Sequence, residues 1–406
     1  MPSVEEESTA APGRVMKPGL VWLMAGSVGV IVANLYYAQP LLGDIARTFG
    51  LTVTGVGALA MLMQAGTALG QFSFVPLGDI LERRRLTVIL VSCAAAALAT
   101  IAVAPNRLWL TAGSFVLGLT AASVHVIIPF AAHLAPEESR GRVLGRVFSG
   151  LLLGILLART FSGMVGSILG WRAVFGIASA LMVLCALLIR SALPKSNPTS
   201  TLSWPKLIRS VAPMWRELPA WRDACLTSML MFSTFSAFWT TLVFFLESPA
   251  YRYGSRVAGL FGLVGAAGAL CAPLVGHFAD RYGARRNVLV ALFLNVMAWV
   301  VMGWWGTHLA GLIVGVILLD VAAQTVHVSN QTRIYALIPG ARSRLNMVYM
   351  TLYFIGGSLG SYIASACWYR FGWTGVCVFS EGMTMAALLV YRYFSTRIGG
   401  TVTASG

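Results

Sequence analysis

The chain has 406 residues, of which 57% are hydrophobic and 11% are charged, and its formal net charge is +15. Soluble domains carry about 25% charged residues, so this composition excludes a water-soluble enzyme and a disordered protein and indicates a chain embedded in lipid. Its basic residues stand at the ends of apolar segments rather than on one continuous face, which favours a topology signal over nucleic-acid binding.

Twelve apolar windows follow residues 1–17, a polar segment that we expect to be a cytoplasmic tail. Each window holds roughly 20 residues or more, enough for a helix to cross a hydrocarbon core ~30 Å thick. The first six are 19–43, 55–78, 86–104, 108–132, 143–169 and 173–193. The last six are 222–247, 257–279, 287–306, 309–336, 345–369 and 373–394. The predicted fold class is therefore an all-α membrane protein with twelve transmembrane helices.

The distribution of Lys and Arg between alternate loops predicts the orientation. With the N-terminus inside, 22 of the 29 basic residues lie on the cytoplasmic side and six on the outer side. Both termini are therefore expected in the cytoplasm, with the chain in a bacterial inner membrane. The proline-rich connection 194–221 divides the spans into two six-helix bundles, 18–193 and 222–395, and residues 396–406 are predicted to form a second cytoplasmic tail.

The two bundles carry matching residues at an offset of 201 or 202 positions. The pairs are Arg140 and Arg342, Gly154 and Gly356, Trp171 and Trp373, His125 and His327, and Asp79 and Asp280. Six spans return the chain to its starting side, so the bundles are predicted to be parallel repeats related by an axis along the membrane normal. Two similar bundles with a site between them can rock, which is the geometry of alternating access.

Two loops and two spans carry motifs. The loop after span two reads Gly78-Asp79-Ile80-Leu81-Glu82-Arg83-Arg84-Arg85, and the loop after span eight reads Gly276-His277-Phe278-Ala279-Asp280-Arg281-Tyr282-Gly283-Ala284-Arg285-Arg286. Both resemble the G-x-x-x-D-R-x-G-R-R loop of the major facilitator superfamily. Residues 154–163 are similar to its antiporter motif G-x-x-x-G-P-x-x-G-G, with Arg159 in place of proline. Residues 34–42 look like the first span of bacterial drug, sugar and nucleoside efflux permeases.

The resemblance implies a major facilitator fold and a latch that changes with conformation. Its residues would be Asp79, Arg83, Arg84, Asp280, Arg281, Arg285 and Arg286. In the superfamily, the residue at the position of Asp79 docks toward the start of span eleven when the cytoplasmic side is closed. A carboxylate at a helix C-terminus also needs a compensating charge. The alternative is a loop charge that only anchors its own helix.

Ionised side chains are rare within the spans, and each calls for a partner or a water-filled cavity. Arg159 in span five and Asp320 in span ten lie at similar predicted depths, ~15 and ~16 Å from the outer face. We expect them to face each other near the midplane, with Asp320 as the site of the coupling proton. A permanent structural ion pair is the alternative. Glu381 in span twelve is a second candidate for proton coupling.

A second group of polar and aromatic residues is expected to line a cavity for solute. It comprises Asn34, Tyr37, His125, Trp239, Gln324 and His327. Asp320, Gln324 and His327 share one helical face, and the resemblance places spans one, four, seven and ten around the central cavity. The histidines are equally consistent with neutral hydrogen bonding between helices, and Tyr36, Gln39 and Trp239 with the aromatic belt at the outer interface.

These observations favour a secondary transporter that exports a small organic solute in exchange for protons. The chain has no nucleotide-binding P-loop and no catalytic or metal-ligating constellation, so we expect neither an enzyme nor a bound cofactor or metal. Solute, protons and the lipid bilayer are the expected partners, and one chain suffices as a monomer. The alternatives are uptake by proton symport and a membrane sensor or receptor without transport activity.

Overall fold

The computed structural model describes residues 18–196, 204–265, 281, 283–338 and 341–403, with backbone alone for Asp79 and for 397–403. Every regular element in these ranges is helical, which confirms the predicted fold class. Nine helical stretches among them are long and apolar enough to cross a membrane, and the last covers two predicted spans. Two shorter apolar helices, Pro18–Ala33 and Ser255–Gly265, lie at the predicted positions of spans one and eight.

The first half of the chain contains nine α-helices within the described residues, several of them short. They are α1 (Pro18–Ala33), α2 (Leu42–Phe49), α3 (Val53–Phe74), α4 (Leu77–Ile80), α5 (Arg83–Ala102), α6 (Arg107–Thr120), α7 (Ser123–Leu134), α8 (Arg140–Leu169) and α9 (Trp171–Ala192). Short 3-10 turns occur at Gln39–Leu41 and Glu137–Ser139.

The second half begins with two short helices and continues with long ones. They are α10 (Trp204–Arg209), α11 (Val211–Glu217), α12 (Pro219–Glu247), α13 (Ser255–Gly265), α14 (Ala284–Trp305), α15 (Leu309–Leu337) and the stretch Arg342–Thr403. That stretch is broken at Gly372, whose φ of 60° is left-handed, into α16 (342–371) and α17 (373–403).

Spans one and four were each predicted as one apolar window, and in the structure each window contains a break in its helix. The first helix of span one ends at Ala33 and the span resumes as α2, with Pro40 between them, a residue that lacks an amide hydrogen and disfavours a continuous helix. Span four is interrupted between Thr120 and Ser123. The hydroxyls of these two residues bond to nearby backbone carbonyls, which competes with the regular helical pattern.

Helices also occur in two segments that the sequence predicts as a connection and a tail. The connection 194–221 contains α10 and α11, and the following span starts at Pro219, a favourable residue for the first helical position. At the other end of the chain, α17 extends to Thr403, so most of the predicted tail 396–406 is helical.

Two large hydrophobic cores account for most of the buried apolar side chains in the described ranges. One consists of residues between Val21 and Leu193. The other consists of residues between Met214 and Ala387, joined by Leu42, Val56 and Ala68 from the first half. Each half therefore packs largely around its own centre.

The internal repeat reappears as matching contacts. Gly170 and Gly372 both adopt positive φ between consecutive spans, at 82° and 60°. Arg84 donates a hydrogen bond to the carbonyl of Arg190, and its repeat-mate Arg285 donates one to the carbonyl of Tyr391, at the same offset of 201. The same residue thus ties the same two helices together in each half.

Contacts between the halves gather at the end of the molecule that the loop charges predict to be outside. Arg47 pairs with Glu247 at 2.9 Å, and Gln64 donates to the Ser361 hydroxyl at 3.0 Å. At Gly163 the backbone of α8 lies so close to α13 that a Cβ would be 2.7 Å from the Ser255 carbonyl oxygen. The halves are therefore closed against each other at this end.

Candidate solute site between the two halves

A narrow cavity lies between the two halves, beside their closed end. Its walls are aromatic and aliphatic side chains interrupted by amides and hydroxyls, a mixture that suits a partly apolar small molecule. The lining consists of Leu35, Tyr36, Ala38, Gln39, Leu42, Leu59, Ala60, Met63, Gln64, Thr67, Ser114, Phe232, Phe235, Ser236, Thr240 and Phe354.

Arg159 lies directly behind this wall and is only 2% exposed. Its Nε donates a 2.6 Å hydrogen bond to Gln39 Oε1, and its Cζ is 3.8 Å from the ring centroid of Trp239 and 4.6 Å from that of Tyr36. Aromatic faces attract a guanidinium, so these rings stabilise the buried charge. Within the described part of the chain, Arg159 Nη2 still has no hydrogen-bond partner.

Asp320 of α15 is 4% exposed and lies near the same tryptophan. A Cβ built on Gly265 would be 3.1 Å from Trp239 Cζ2 and 3.2 Å from Asp320 Oδ2, so the carboxylate and the indole meet at this glycine. Asp320 Oδ2 has no hydrogen-bond partner among the described residues. Arg159 and Asp320 therefore make no direct ion pair with each other in this conformation.

The hydrogen bond between Gln39 and Arg159 has a counterpart at the repeat-related positions. There Thr240 donates to Ser361 at 3.0 Å, so two hydroxyls stand where the first half has an amide and a guanidinium. The two halves therefore place a hydrogen-bonded pair at corresponding positions, but only the pair of the first half contains a charged side chain. The site is consequently asymmetric, with its buried cation supplied by the first half and its buried carboxylate by the second.

The predicted cavity residues are spread over a wider region than this cavity. Trp239 is 2% exposed and lies against Arg159 rather than at the lipid interface, and its indole Nε1 has no partner in the described ranges. Tyr37 is buried against Phe161. Asn34 is buried at the end of α1, and both of its amide atoms lack described partners. Gln324 is half-buried.

The two histidines lie deeper along the helices. His327 is half-buried, its Nδ1 is 3.1 Å from the Tyr349 hydroxyl, and its ring lies 5.0 Å from that of Tyr353. His125, its repeat-mate, is half-buried on α7. The bond from His327 to Tyr349 joins α15 to α16, which is the interhelical role considered as the alternative for this residue.

A model of the Major Facilitator Superfamily matches residues 23–361 and again 254–402. The chain belongs to the Major Facilitator Superfamily. An uncharacterized transporter, YgaY, of Escherichia coli O157:H7 is 41% identical over 380 residues, which cover 94% of this chain and 96% of the relative. The probable transporter SCO4007 of Streptomyces coelicolor is 34% identical over 363 residues, covering 87% and 83%.

Solved structures of the same fold are more distant in sequence. A POT family transporter in complex with a thioalcohol conjugated peptide is similar with a TM-score of 0.76 at 12% identity, covering 94% of this chain and 96% of the other. The nucleoside transporter NupG gives 0.74 at 13%, covering 93% and 99%. This chain is thus a multi-pass membrane protein and a secondary transporter of a small solute, not an enzyme.

The superfamily loops anchor their own halves in this structure. Arg83 is buried and its Nε donates to the Gly78 carbonyl, while Arg84 donates to the carbonyl of Leu193. Arg285 donates to the Ser395 hydroxyl at 2.8 Å, whereas Arg281 and Arg286 are exposed. The Asp79 side chain and all of Asp280 lie outside the described residues, so docking of Asp79 near span eleven stays a prediction.

Glu381, the second predicted proton site, lies apart from the cavity on α17. Its side chain is half-buried, and both carboxylate oxygens lack hydrogen-bond partners within the described ranges. Its helix packs toward α14, where Cys377 approaches Gly303. None of the residues that line the cavity belongs to α17.

One buried ionic cluster was not anticipated from the sequence. Asp223 near the start of α12 is fully buried, and its Oδ2 lies 2.5 Å from Arg333 Nη2 and 3.9 Å from Arg285 Nη2. Arg333 also donates to Asn330 Oδ1 at 2.7 Å. The available signal was an acidic residue within a strongly basic segment that the sequence predicts to be cytoplasmic, where a lone carboxylate is expected to have a partner.

Proposed function

We propose that this transporter exports a small organic solute in exchange for protons, as a monomer in a bacterial inner membrane with both termini cytoplasmic. The observation that carries the proposal is the pair Arg159 and Asp320. Both side chains are buried beside the cavity, each comes from a different half, and their charges are opposite but not directly paired.

Asp320 is the group proposed to carry the proton. A nearby cation stabilises an ionised carboxylate, whereas apolar surroundings favour the protonated form. Because Arg159 belongs to the other half, relative movement of the halves changes its distance to Asp320. Rocking can therefore switch the carboxylate between taking up a proton and releasing it.

The contacts between the halves support alternating access. Arg47 with Glu247, Gln64 with Ser361 and the approach at Gly163 all close the end predicted to face outward. We propose that this conformation is the one closed to the outside, and that the two six-helix bundles part there when solute is released.

Substitution of Gly163 by Val is expected to prevent this closure and to reduce solute turnover at least about tenfold. The added side chain would meet the Ser255 carbonyl and the Gly259 Cα, at 2.7 and 2.8 Å from its Cβ, and backbone cannot yield as a flexible side chain can. Cross-linking of Arg47→Cys with Glu247→Cys by a short bismaleimide reports the closed end.

The matched control is Gly176→Val, because a Cβ at Gly176 meets nothing within 4 Å. This control is expected to retain both turnover and the cross-link. A Gly163→Val protein that cross-links and transports like the control would show that the α8 and α13 contact is not required for closure.

Proton flux in proteoliposomes tests the proposed function. Purified protein is reconstituted with an internal pH dye, and drugs, sugars, nucleosides and amino acids are added in turn. Exchange predicts that an active solute and protons cross in opposite directions, and counterflow assays in both directions establish which direction is export. Movement of solute and protons in the same direction would show symport instead of exchange. Solute transport at a rate that does not depend on the pH gradient would show that protons are not coupled to it.

A further inference from the structure

Within the described ranges, two buried atoms of oppositely charged side chains have no hydrogen-bond partner at the candidate site. Arg159 Nη2 is a donor on a cation, and Asp320 Oδ2 is an acceptor on a carboxylate. Leaving a buried charged group incompletely hydrogen-bonded is unfavourable, so each of these atoms calls for a partner that binds there. The Trp239 Nε1 donor beside Arg159 is also unpartnered among the described residues.

We infer that the transported solute is a small zwitterion of the amino-acid type, whose carboxylate pairs with Arg159 and whose ammonium group pairs with Asp320. This inference rests on the proposed function and names the substrate class of that same site. Trp239 lies against Arg159 and meets the Asp320 carboxylate at Gly265, so one indole adjoins both ends of the ligand.

The hydrogen-bonding groups of Arg159 and Asp320, at the two ends of the site, set the orientation of the ligand. Arg159 Nη2 is a donor on a cation, which suits a carboxylate. On the other side Asp320 offers an acceptor, which suits an ammonium group. With Asp320 ionised, this pair of residues is neutral before and after a zwitterion binds. A singly charged solute would leave a net charge in a site from which water is largely excluded, which is unfavourable.

The residues that line the cavity indicate what kind of side chain the zwitterion carries. Tyr36, Phe232, Phe235 and Phe354 present aromatic surface. The ring centroids of Tyr36 and Phe235 lie 4.6 and 6.0 Å from Arg159 Cζ. The apolar wall therefore begins beside the proposed position of the ligand carboxylate. An aromatic or branched apolar side chain fits this surface better than a second charged group does.

A zwitterionic solute explains why solute and protons would be exchanged for each other. An ammonium group and a proton compete for the same carboxylate of Asp320, so one leaves when the other binds. A zwitterion also contacts Arg159 of the first half and Asp320 of the second, so its binding favours approach of the halves. A proton on Asp320 makes no such link between the halves.

Equilibrium binding in detergent tests the inference with no proton gradient present. The probes share one body: L-phenylalanine is a zwitterion, 3-phenylpropionate lacks the ammonium group, and 2-phenylethylamine lacks the carboxylate. L-leucine and L-methionine provide two further zwitterions. Dissociation constants are obtained from the rise in thermal stability with ligand concentration. The proteins are the wild type, Asp320→Asn, Arg159→Gln and the control Arg172→Gln.

The wild type is expected to bind at least one of the three amino acids, and in the phenylalanine series to prefer the zwitterion to either analogue by at least about tenfold. Asp320→Asn should lose the preference over 3-phenylpropionate, and Arg159→Gln should lose the preference over 2-phenylethylamine. Arg172 also stacks on a tryptophan, with Cζ 4.3 Å from the centroid of the Trp171 ring. Arg159 contacts Tyr36 and Gln39 of the cavity wall, whereas the rings and the carbonyl that Arg172 contacts belong to residues that do not line the cavity. Its substitution should leave the preferences unchanged.

Three results would overturn the inference: a wild type that none of the amino acids stabilises, one that binds an analogue as tightly as phenylalanine, or variants whose preferences do not change. These failures are distinct from failure of the proposed function. A protein that binds the zwitterion but moves no protons refutes proton exchange alone, whereas one that exchanges protons for a solute of another charge class refutes only the zwitterion.

Discussion

Proteoliposomes that contain Asp320→Asn are expected to accumulate no solute in response to a pH gradient, under conditions in which the wild type accumulates it. Asparagine has nearly the shape of aspartic acid but cannot bind and release a proton, so the coupling is lost while the packing near Trp239 is kept. Counterflow of solute without a pH gradient should persist at a reduced rate. The measurement is uptake of radiolabelled solute with and without an imposed gradient.

The companion variant is Glu381→Gln, because Glu381 is the other carboxylate that the sequence indicates for proton coupling. It lies on α17, away from the residues that line the cavity, so its substitution should leave accumulation driven by the gradient largely intact. The reverse result, with coupling lost in Glu381→Gln and kept in Asp320→Asn, would move the proton site to α17.

The sequence predicted the membrane helices well because their signals are local. Length, hydropathy and the spacing of Arg and Lys all act within one span or one loop. The repeat was also visible in sequence, and matching contacts of Arg84 and Arg285 now support it. Local breaks were harder to predict, since Pro40 and the hydroxyls of Thr120 and Ser123 each interrupt a segment whose composition is otherwise helical.

The candidate site was predicted in part. Depth along a helix follows from residue counting, which predicts Arg159 and Asp320 at similar levels. In the structure both residues lie near Trp239. The direction in which each side chain points depends on how α8, α12 and α15 pack, which no single span encodes. Trp239 adjoins both charged residues in the structure, and Arg159 Nε donates its hydrogen bond to Gln39 rather than to Asp320.

Asp223→Ala is expected to destabilise the protein by about 3–5 kcal/mol, the usual loss when one partner of a buried ion pair is removed. The Asp223 side chain is 0% exposed, and those of Arg333 and Arg285 are 12% and 27% exposed. Removing the carboxylate leaves two positive charges close together at the junction of α12, α14 and α15. The free energy of unfolding can be measured by SDS titration in mixed micelles.

The more exposed pair of Arg47 and Asp44 provides a control with the same N to O distance. Its N to O distance is also 2.5 Å, but its side chains are 60% and 28% exposed, so Asp44→Ala should lose about 1 kcal/mol or less. Similar losses in the free energy of unfolding for Asp223→Ala and Asp44→Ala would mean that burial does not determine how strongly the Asp223 cluster stabilises the protein.

The double variant Asp223→Leu with Arg333→Met separates charge from packing. If the loss in Asp223→Ala arises from an unpaired buried arginine, replacing both partners by apolar residues should recover most of it, because no desolvated charge then lacks a partner except the more exposed Arg285. A double variant as unstable as the single one would indicate that the hydrogen bonds around this cluster hold α12 and α15 together in a way that apolar packing cannot replace. They include those from Asn330 to the Ala224 carbonyl and the Ser228 hydroxyl.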